Sequence, residues 1–147
     1  RYGDFQTWAT VQSSLAMDTP IPGFVDAVRD ALRDYWGGPR LTRSPLLKLD
    51  IVRTALPEND DNRTRALRTV LLDALNRMRP NGERSMTSAE WTLYNIIELR
   101  FIQGYKVRDV ARRLAMSEAD LYRKQRLAIE EISRILAEEE RECHRMN

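Results

Sequence analysis

The stretch that decides the fold spans residues 104–132, with the sequence GYKVRDVARRLAMSEADLYRKQRLAIEEI. Its apolar residues recur every three or four positions on both sides of a break, which is the spacing of two helices that each bury one face. Ser117 stands at the break and Asp120 follows three positions later, as in a capping box that begins a helix. The stretch therefore predicts two helices joined by a tight turn, the second beginning just after Ser117.

The second of these helices has two contrasting faces. Its apolar stripe is predicted to contain Leu121, Gln125, Ala128, Ile129, Ile132, Ile135 and Leu136. At about 100° per residue, Ala119, Arg123 and Arg126 point away from that stripe, and Tyr122 lies at its margin. A small residue, an aromatic ring and two arginines at the start of a helix suit the major groove of DNA, where arginine bonds guanine or neutralises phosphate. The solvated basic face of an ordinary helix hairpin would explain the same pattern.

Together with the residues before it, this stretch resembles the promoter-reading helix-turn-helix of bacterial sigma factors, their region four. The residues that align with the motif of that family are Leu99-Arg100-Phe101, Gly104, Asp109-Val110-Ala111, Leu114, Met116-Ser117, Leu121 and Ala128. The departures are Asp109, Ala115, Asp120 and Leu121, where that family usually has Glu, Gly, Thr and Val. The resemblance covers roughly the C-terminal third of the chain. It implies a DNA-binding module whose recognition helix, over residues 118–132, enters the major groove.

Two groups of residues become candidates for contact with double-stranded DNA. Those expected to hold phosphates are Lys106, Arg108, Arg112 and Arg113. Those expected at the major groove are Ala119, Tyr122, Arg123 and Arg126, with Ser117 beside them at the turn. Residues 100–126 contain eight Lys or Arg against three acids, a net charge of +5, whereas the whole chain carries only +2. Such a local basic excess is expected of a DNA-binding surface.

The remaining sequence predicts an all-α protein of about seven helices. Residues 1–17 suit a short amphipathic helix, and residues 24–36 suit a second one, ended by Gly37-Gly38-Pro39. A helix is expected after the start signal Ser44-Pro45, and a four-turn helix is expected over residues 63–78. No run alternates apolar and polar residues with β-branched enrichment, so no strand is predicted.

The second half of the chain is expected to be organised around one buried helix. Residues 91–101 are apolar on more than one face, which predicts a helix between the N-terminal helices and the helix-turn-helix. The last helix is expected to run from about residue 118 to beyond 140, and its charged tail to project into solvent or lead into a further domain. The chain is thus divided into an N-terminal helical subdomain, residues 1–84, and a helix-turn-helix part, residues 85–147.

The composition argues against several classes of function. The chain has one cysteine, Cys143, and one histidine, His144, adjacent in a charged tail, so no catalytic dyad or metal-ligand set is predicted. It also lacks a Gly-rich phosphate loop, and we expect neither an enzyme nor a cofactor. No apolar run approaches membrane-spanning length, and the single cysteine suits a reducing cytoplasm, where we expect the protein. Because the chain begins at Arg1, we expect a fragment of a larger bacterial protein.

Two hypotheses of function follow. The first is a sequence-specific DNA-binding module of a bacterial transcriptional regulator or sigma-like factor. RNA polymerase, other domains of the parent protein and a second copy of the chain are further partners open to it. The second is a protein-interaction module of a larger signalling or nucleotide-switch protein. Its N-terminal contact surface would contain Trp8, Phe24, Tyr35 and Trp36. Glu118 and Asp120 favour the second hypothesis, because they place acids at the start of the recognition helix, while the basic clustering and the full motif favour the first.

Overall fold

The structure, a computed structural model, describes residues 19–146, and seven α-helices form most of that range. They are α1 (Phe24–Arg33), α2 (Pro39–Thr42), α3 (Asp50–Thr54), α4 (Arg63–Arg77), α5 (Thr92–Ile97), α6 (Val107–Arg113) and α7 (Glu118–Met146). Short 3₁₀ turns lie at Pro45–Lys48, Pro57–Asn59 and Ala89–Trp91, and a π-helical turn, Glu98–Ile102, continues α5. Residues 19–146 contain no strand, so the predicted all-α fold is confirmed. The helix expected in residues 1–17 lies outside the described residues.

The longest helix of the first half forms as its sequence predicts. The side-chain oxygen of Asn62 accepts a hydrogen bond from the backbone N–H of Arg65 at 3.0 Å, which caps the N-terminus of α4. Its predicted apolar positions are buried at Ala66, Leu67, Val70, Leu71, Ala74 and Leu75. The helix ends at Arg77, and Met78 is its C-cap, close to the predicted end.

Two other helices are shorter than predicted. The helix expected over residues 24–36 ends at Arg33, and a turn follows in which the Asp34 carboxylate accepts the backbone N–H of Arg40 at 2.8 Å. After Ser44, whose hydroxyl caps the next turn, the chain forms a 3₁₀ turn and becomes extended at Leu49 before α3 begins. The prediction of one continuous helix after Ser44 was therefore wrong. Leu46, in the 3₁₀ turn, and Leu49, the extended residue after it, are nevertheless both buried in the core.

Two clusters of buried side chains make up the core. The larger one contains residues of α1 to α4, of α5 and of the distal part of α7, and so takes residues from both sides of residue 84. The smaller one contains Ile96, Leu99, Val110, Ala111, Leu114 and Leu121. The segment from α5 through the π-helical turn belongs to both, since Ile97 and Phe101 pack in the larger cluster. The prediction that this segment lies buried between the two halves is confirmed.

The charged end of α7 packs against α3. The Glu140 carboxylate accepts the backbone N–H groups of Asp50 and Ile51, each at 3.0 Å, and thereby caps the N-terminus of α3, where the N-cap residue itself provides no side-chain bond. Glu139 forms an ion pair with Arg77 at 3.4 Å. Projection of the whole tail into solvent, one of the two predicted alternatives, was therefore wrong, because Glu139 and Glu140 have partners on α4 and α3.

The chain's one histidine takes part in the same contact and offers a direct measurement. His144 Nδ1 lies 2.9 Å from a carboxylate oxygen of Asp50, and this hydrogen bond raises the pKa of His144 and lowers the pKa of Asp50. We expect Asp50→Asn to return the pKa of His144 toward about 6.5 in an NMR titration of the ring. Glu142→Gln, a matched change on the same tail, should leave it nearly unchanged. An unaltered pKa in Asp50→Asn would contradict the contact.

The two shifts also set the direction of the pH dependence of stability. The His144 contribution is complete below its unfolded pKa, about 6.5, and is lost as the pH rises through the raised folded value. The Asp50 contribution is complete above its unfolded pKa, about 4, and is lost as the pH falls through the lowered folded value. The pair therefore stabilises the docked tail fully between about pH 4 and pH 6.5.

Candidate nucleic-acid interface

The turn between α6 and α7 is a Schellman motif. The backbone N–H of Met116 donates to the carbonyl of Ala111 at 3.0 Å, and that of Ala115 donates to the carbonyl of Arg112 at 3.2 Å. Ala115 has a φ of 55°, in the left-handed region, and the Met116 side chain packs on the smaller cluster. The predicted tight turn is confirmed, and an alanine holds the position where glycine would meet less steric cost.

Ala115→Gly should therefore stabilise the protein. The left-handed conformation costs alanine about 1–2 kcal/mol, and the greater freedom of glycine in the unfolded chain offsets part of the gain. We expect the free energy of unfolding in urea to rise by about 0.5–1 kcal/mol. Ala119→Gly, the same change at an exposed position of α7, should lower it. If both variants lost stability equally, Ala115 would not occupy the left-handed region in solution.

At the start of α7, only one of the two hydrogen bonds of the predicted capping box forms. Ser117 Oγ accepts the backbone N–H of Asp120 at 3.1 Å, as expected of an N-cap. The Asp120 carboxylate instead accepts a hydrogen bond from the Arg123 guanidinium and lies 3.1 Å from Lys124 Nζ. These hydrogen bonds, first from Arg123 and then from Lys124, lower the pKa of Asp120, which keeps it charged at neutral pH. One predicted base-contacting residue is thus already held by an acid of its own helix.

All nine residues predicted to contact DNA are exposed. They are Lys106, Arg108, Arg112, Arg113, Ser117, Ala119, Tyr122, Arg123 and Arg126. Within residues 19–146, none of the four cations from Lys106 to Arg113 forms an ion pair within 4.0 Å. The Arg113 guanidinium lies 4.2 Å from the centroid of the Tyr105 ring, which favours one orientation of that side chain. The surface of α6 therefore presents positive charge that no carboxylate of the described residues neutralises.

The predicted recognition face divides between two surfaces. Tyr122 and Arg126 line a groove of about 460 Å³ between α7 and α1, with Arg29 and Arg33 on the α1 side. Ala119 and Arg123 are exposed but do not line it. These four α7 positions were predicted to form one face, because local spacing does not indicate that α1 lies beside them.

A half-buried arginine whose role was not predicted, Arg100, lies next to this groove and contacts one of its lining residues, Gln125. Arg100 Nε donates to the side-chain oxygen of Gln125 at 3.3 Å, and its Nη1 donates to the Tyr105 carbonyl at 2.9 Å. Gln125 was predicted in the apolar stripe and is indeed buried. A polar residue in that stripe was the one sequence signal for a polar partner, whereas nothing local to α1 indicated that Arg33 would lie across the groove.

Two of the four aromatic residues expected to contact a protein partner are buried. Phe24 and Tyr35 are 1% and 5% exposed and belong to the larger cluster, so their assignment to a contact surface was wrong. Trp36 is 67% exposed, and its indole N–H donates to the Ile102 carbonyl at 2.7 Å. Trp8 lies outside the described residues.

No family model matches this chain, and comparison with curated proteins and with solved structures gives no match either. Within residues 19–146, no group of three or more His, Cys, Asp or Glu side chains could hold a metal ion. No helix of the same range is long and apolar enough to cross a membrane. The site is therefore defined by its own geometry, as two helices joined by a Schellman turn with a basic outer surface.

Proposed function

We propose that the chain is a sequence-specific DNA-binding module of a bacterial transcriptional regulator, in which α6, the turn and the start of α7 act as a helix-turn-helix like that of sigma region four. The observation that carries the proposal is the exposure of all nine candidate residues along α6, the turn and the capped start of α7. In this account the α6 cations hold phosphates and fix the orientation of the protein on the duplex. Ala119 and Arg123, on the outer side of α7, reach base edges in the major groove.

The ion pair with Asp120 is compatible with base contact by Arg123. A guanidinium that already has one fixed carboxylate partner loses less side-chain entropy when it donates in a bidentate manner to guanine. The acid also repels phosphate, so it disfavours placing Arg123 against the backbone. Asp120 is thus a positioning residue that directs Arg123 toward a base.

The test is selection of bound duplexes from a randomised pool, with Ala119→Glu as a matched control. Glutamate in the first turn of α7 favours the helix dipole, so this variant should fold, but its carboxylate would face the major groove. We expect the native chain to enrich a short guanine-containing motif and the variant to enrich none. No enrichment by the native chain, or the same motif enriched by the variant, would contradict the proposal.

A protein-interaction function is the second candidate, and Trp36 is the observation that favours it. Its ring is exposed yet fixed by the hydrogen bond to Ile102 and by an edge contact with Tyr35, whose ring centroid lies 4.9 Å away. A fixed, exposed tryptophan is a typical anchor of a protein interface. Binding through such an apolar contact would persist at high salt, whereas binding to DNA would fall steeply.

A further inference from the structure

The groove between α1 and α7 has walls from two helices that are far apart in sequence. Arg33, near the end of α1, lies on one wall, and Tyr122 and Arg126, on the second turn of α7 and beyond, lie on the other. Gln125 and Ile129 lie between the walls. The groove adjoins the surface proposed to enter the major groove, because Tyr122 directly precedes Arg123 in α7.

The arginines that line this groove differ in whether an acid is paired with them. Arg29 is paired with both Asp26 and Asp30, at 3.2 Å and 3.3 Å, and these three groups together carry a net charge of −1. In the described part of the chain, Arg33 and Arg126 form no ion pair within 4.0 Å. Both are exposed at the mouth of the groove, where an approaching anion could reach them.

Arg100 does not line the groove but places a third positive charge next to it, against Gln125. Its hydrogen bonds go to the neutral oxygens of Gln125 and Tyr105, and no carboxylate of residues 19–146 lies within 4.0 Å of it. Burial lowers the pKa of Arg100, and the charge of Arg33 lowers it further against an opposing effect of Tyr122. Arg33 and Arg126 therefore line the groove and Arg100 lies beside it, while the acids among the lining residues are Asp26, which is paired with Arg29, and Glu130.

We propose that this groove binds the sugar-phosphate backbone of DNA, so that Arg33 of α1 and Arg126 of α7 hold the same strand on two sides. The proposal rests on the DNA-binding function argued above and assigns α1 a direct part in it. Arg126 then contacts phosphate, and base contact is left to Arg123 and Ala119. The Tyr122 hydroxyl, on the same wall, is a further phosphate donor. A strand held in this way fixes the depth to which α7 enters the major groove.

The experiment compares Arg33→Ala with Arg65→Ala in the full chain, using random-sequence duplex DNA over a series of salt concentrations. Arg65 is an exposed arginine of α4 that does not line the groove. Loss of one phosphate contact should lower the slope of log affinity against log salt by about one and weaken binding by about eightfold near 0.1 M salt. Arg65→Ala should change neither quantity, and Arg33→Lys should keep most of the slope because it keeps the charge.

The outcomes separate this proposal from the one on which it rests. If the native chain binds duplex and Arg33→Ala binds with the same slope, the groove proposal is overturned while the DNA-binding function stands. If the Arg33→Ala effect depends on the DNA sequence, the groove contacts bases and the phosphate assignment is overturned. If the native chain binds no duplex at low salt, both proposals fail together.

Discussion

Leu121→Ala should lower the free energy of unfolding by about 2–5 kcal/mol. Leu121 is fully buried and is the α7 member of the smaller cluster, which fastens the first turns of that helix to α5 and α6. The substitution removes three side-chain carbon atoms and leaves a cavity among the five other buried side chains of the cluster. Those side chains are closely packed and have little freedom to close it.

Leu127→Ala provides the control for this prediction. The same substitution is made six residues later on the same helix, but Leu127 is 40% exposed. We expect its cost in a urea titration to stay below about 1 kcal/mol. Equal losses in the two variants would contradict the packing of α7 on the smaller cluster. Because Leu121 lies beside the candidate interface, Leu121→Ala should also weaken DNA binding through loss of structure, so it is unsuitable as a test of contact.

The second large effect is expected from Arg123→Ala on the selected DNA site. One bidentate arginine–guanine contact contributes about 1–3 kcal/mol, so affinity for the selected site should fall by roughly 5- to 150-fold. Affinity for random-sequence duplex should fall much less, because the residue is proposed to contact a base and not the backbone. Fluorescence anisotropy with both duplexes measures the difference.

Two further variants make this prediction specific. Arg134→Ala removes another exposed arginine of α7 that pairs with an acid three residues earlier, Glu131 at 2.9 Å, and it should leave both affinities unchanged. Asp120→Asn removes the acid that positions Arg123, so affinity for random duplex should rise while discrimination between the two duplexes falls. Equal losses on both duplexes in Arg123→Ala would contradict base contact by this residue.

Local signals in the sequence predicted the helices that depend on local chemistry. The Asn62 cap and the apolar spacing of α4 are both properties of neighbouring residues, and the helix forms accordingly. The Ser117 cap and the turn after Leu114 also depend on neighbouring residues. The hydrogen bonds found there are those of the Schellman motif that ends α6 and of the N-cap that begins α7. The all-α fold and its buried central segment followed from periodicity alone.

The features that sequence reasoning missed depend on contacts between distant residues. Glu140 caps α3 across about ninety positions of sequence, and no pattern near either residue indicates the other. The same holds for Arg33, which lies across the groove from Arg126 only because α1 packs against α7. The break in the helix predicted after Ser44 is likewise not indicated locally, since Leu46, Leu49 and Val52 have helical spacing and are all buried. Local propensity gives way where tertiary packing stabilises another conformation.

The most direct test of the central claim is the affinity of the chain for random-sequence duplex DNA, measured by anisotropy at low and moderate salt. A helix-turn-helix with the exposed cations of α6 and α7 should bind with a dissociation constant of about 10⁻⁶–10⁻⁴ M, and affinity should fall steeply as salt rises. Absence of binding at low salt, or binding that does not change with salt, would contradict the assignment of this basic surface to DNA.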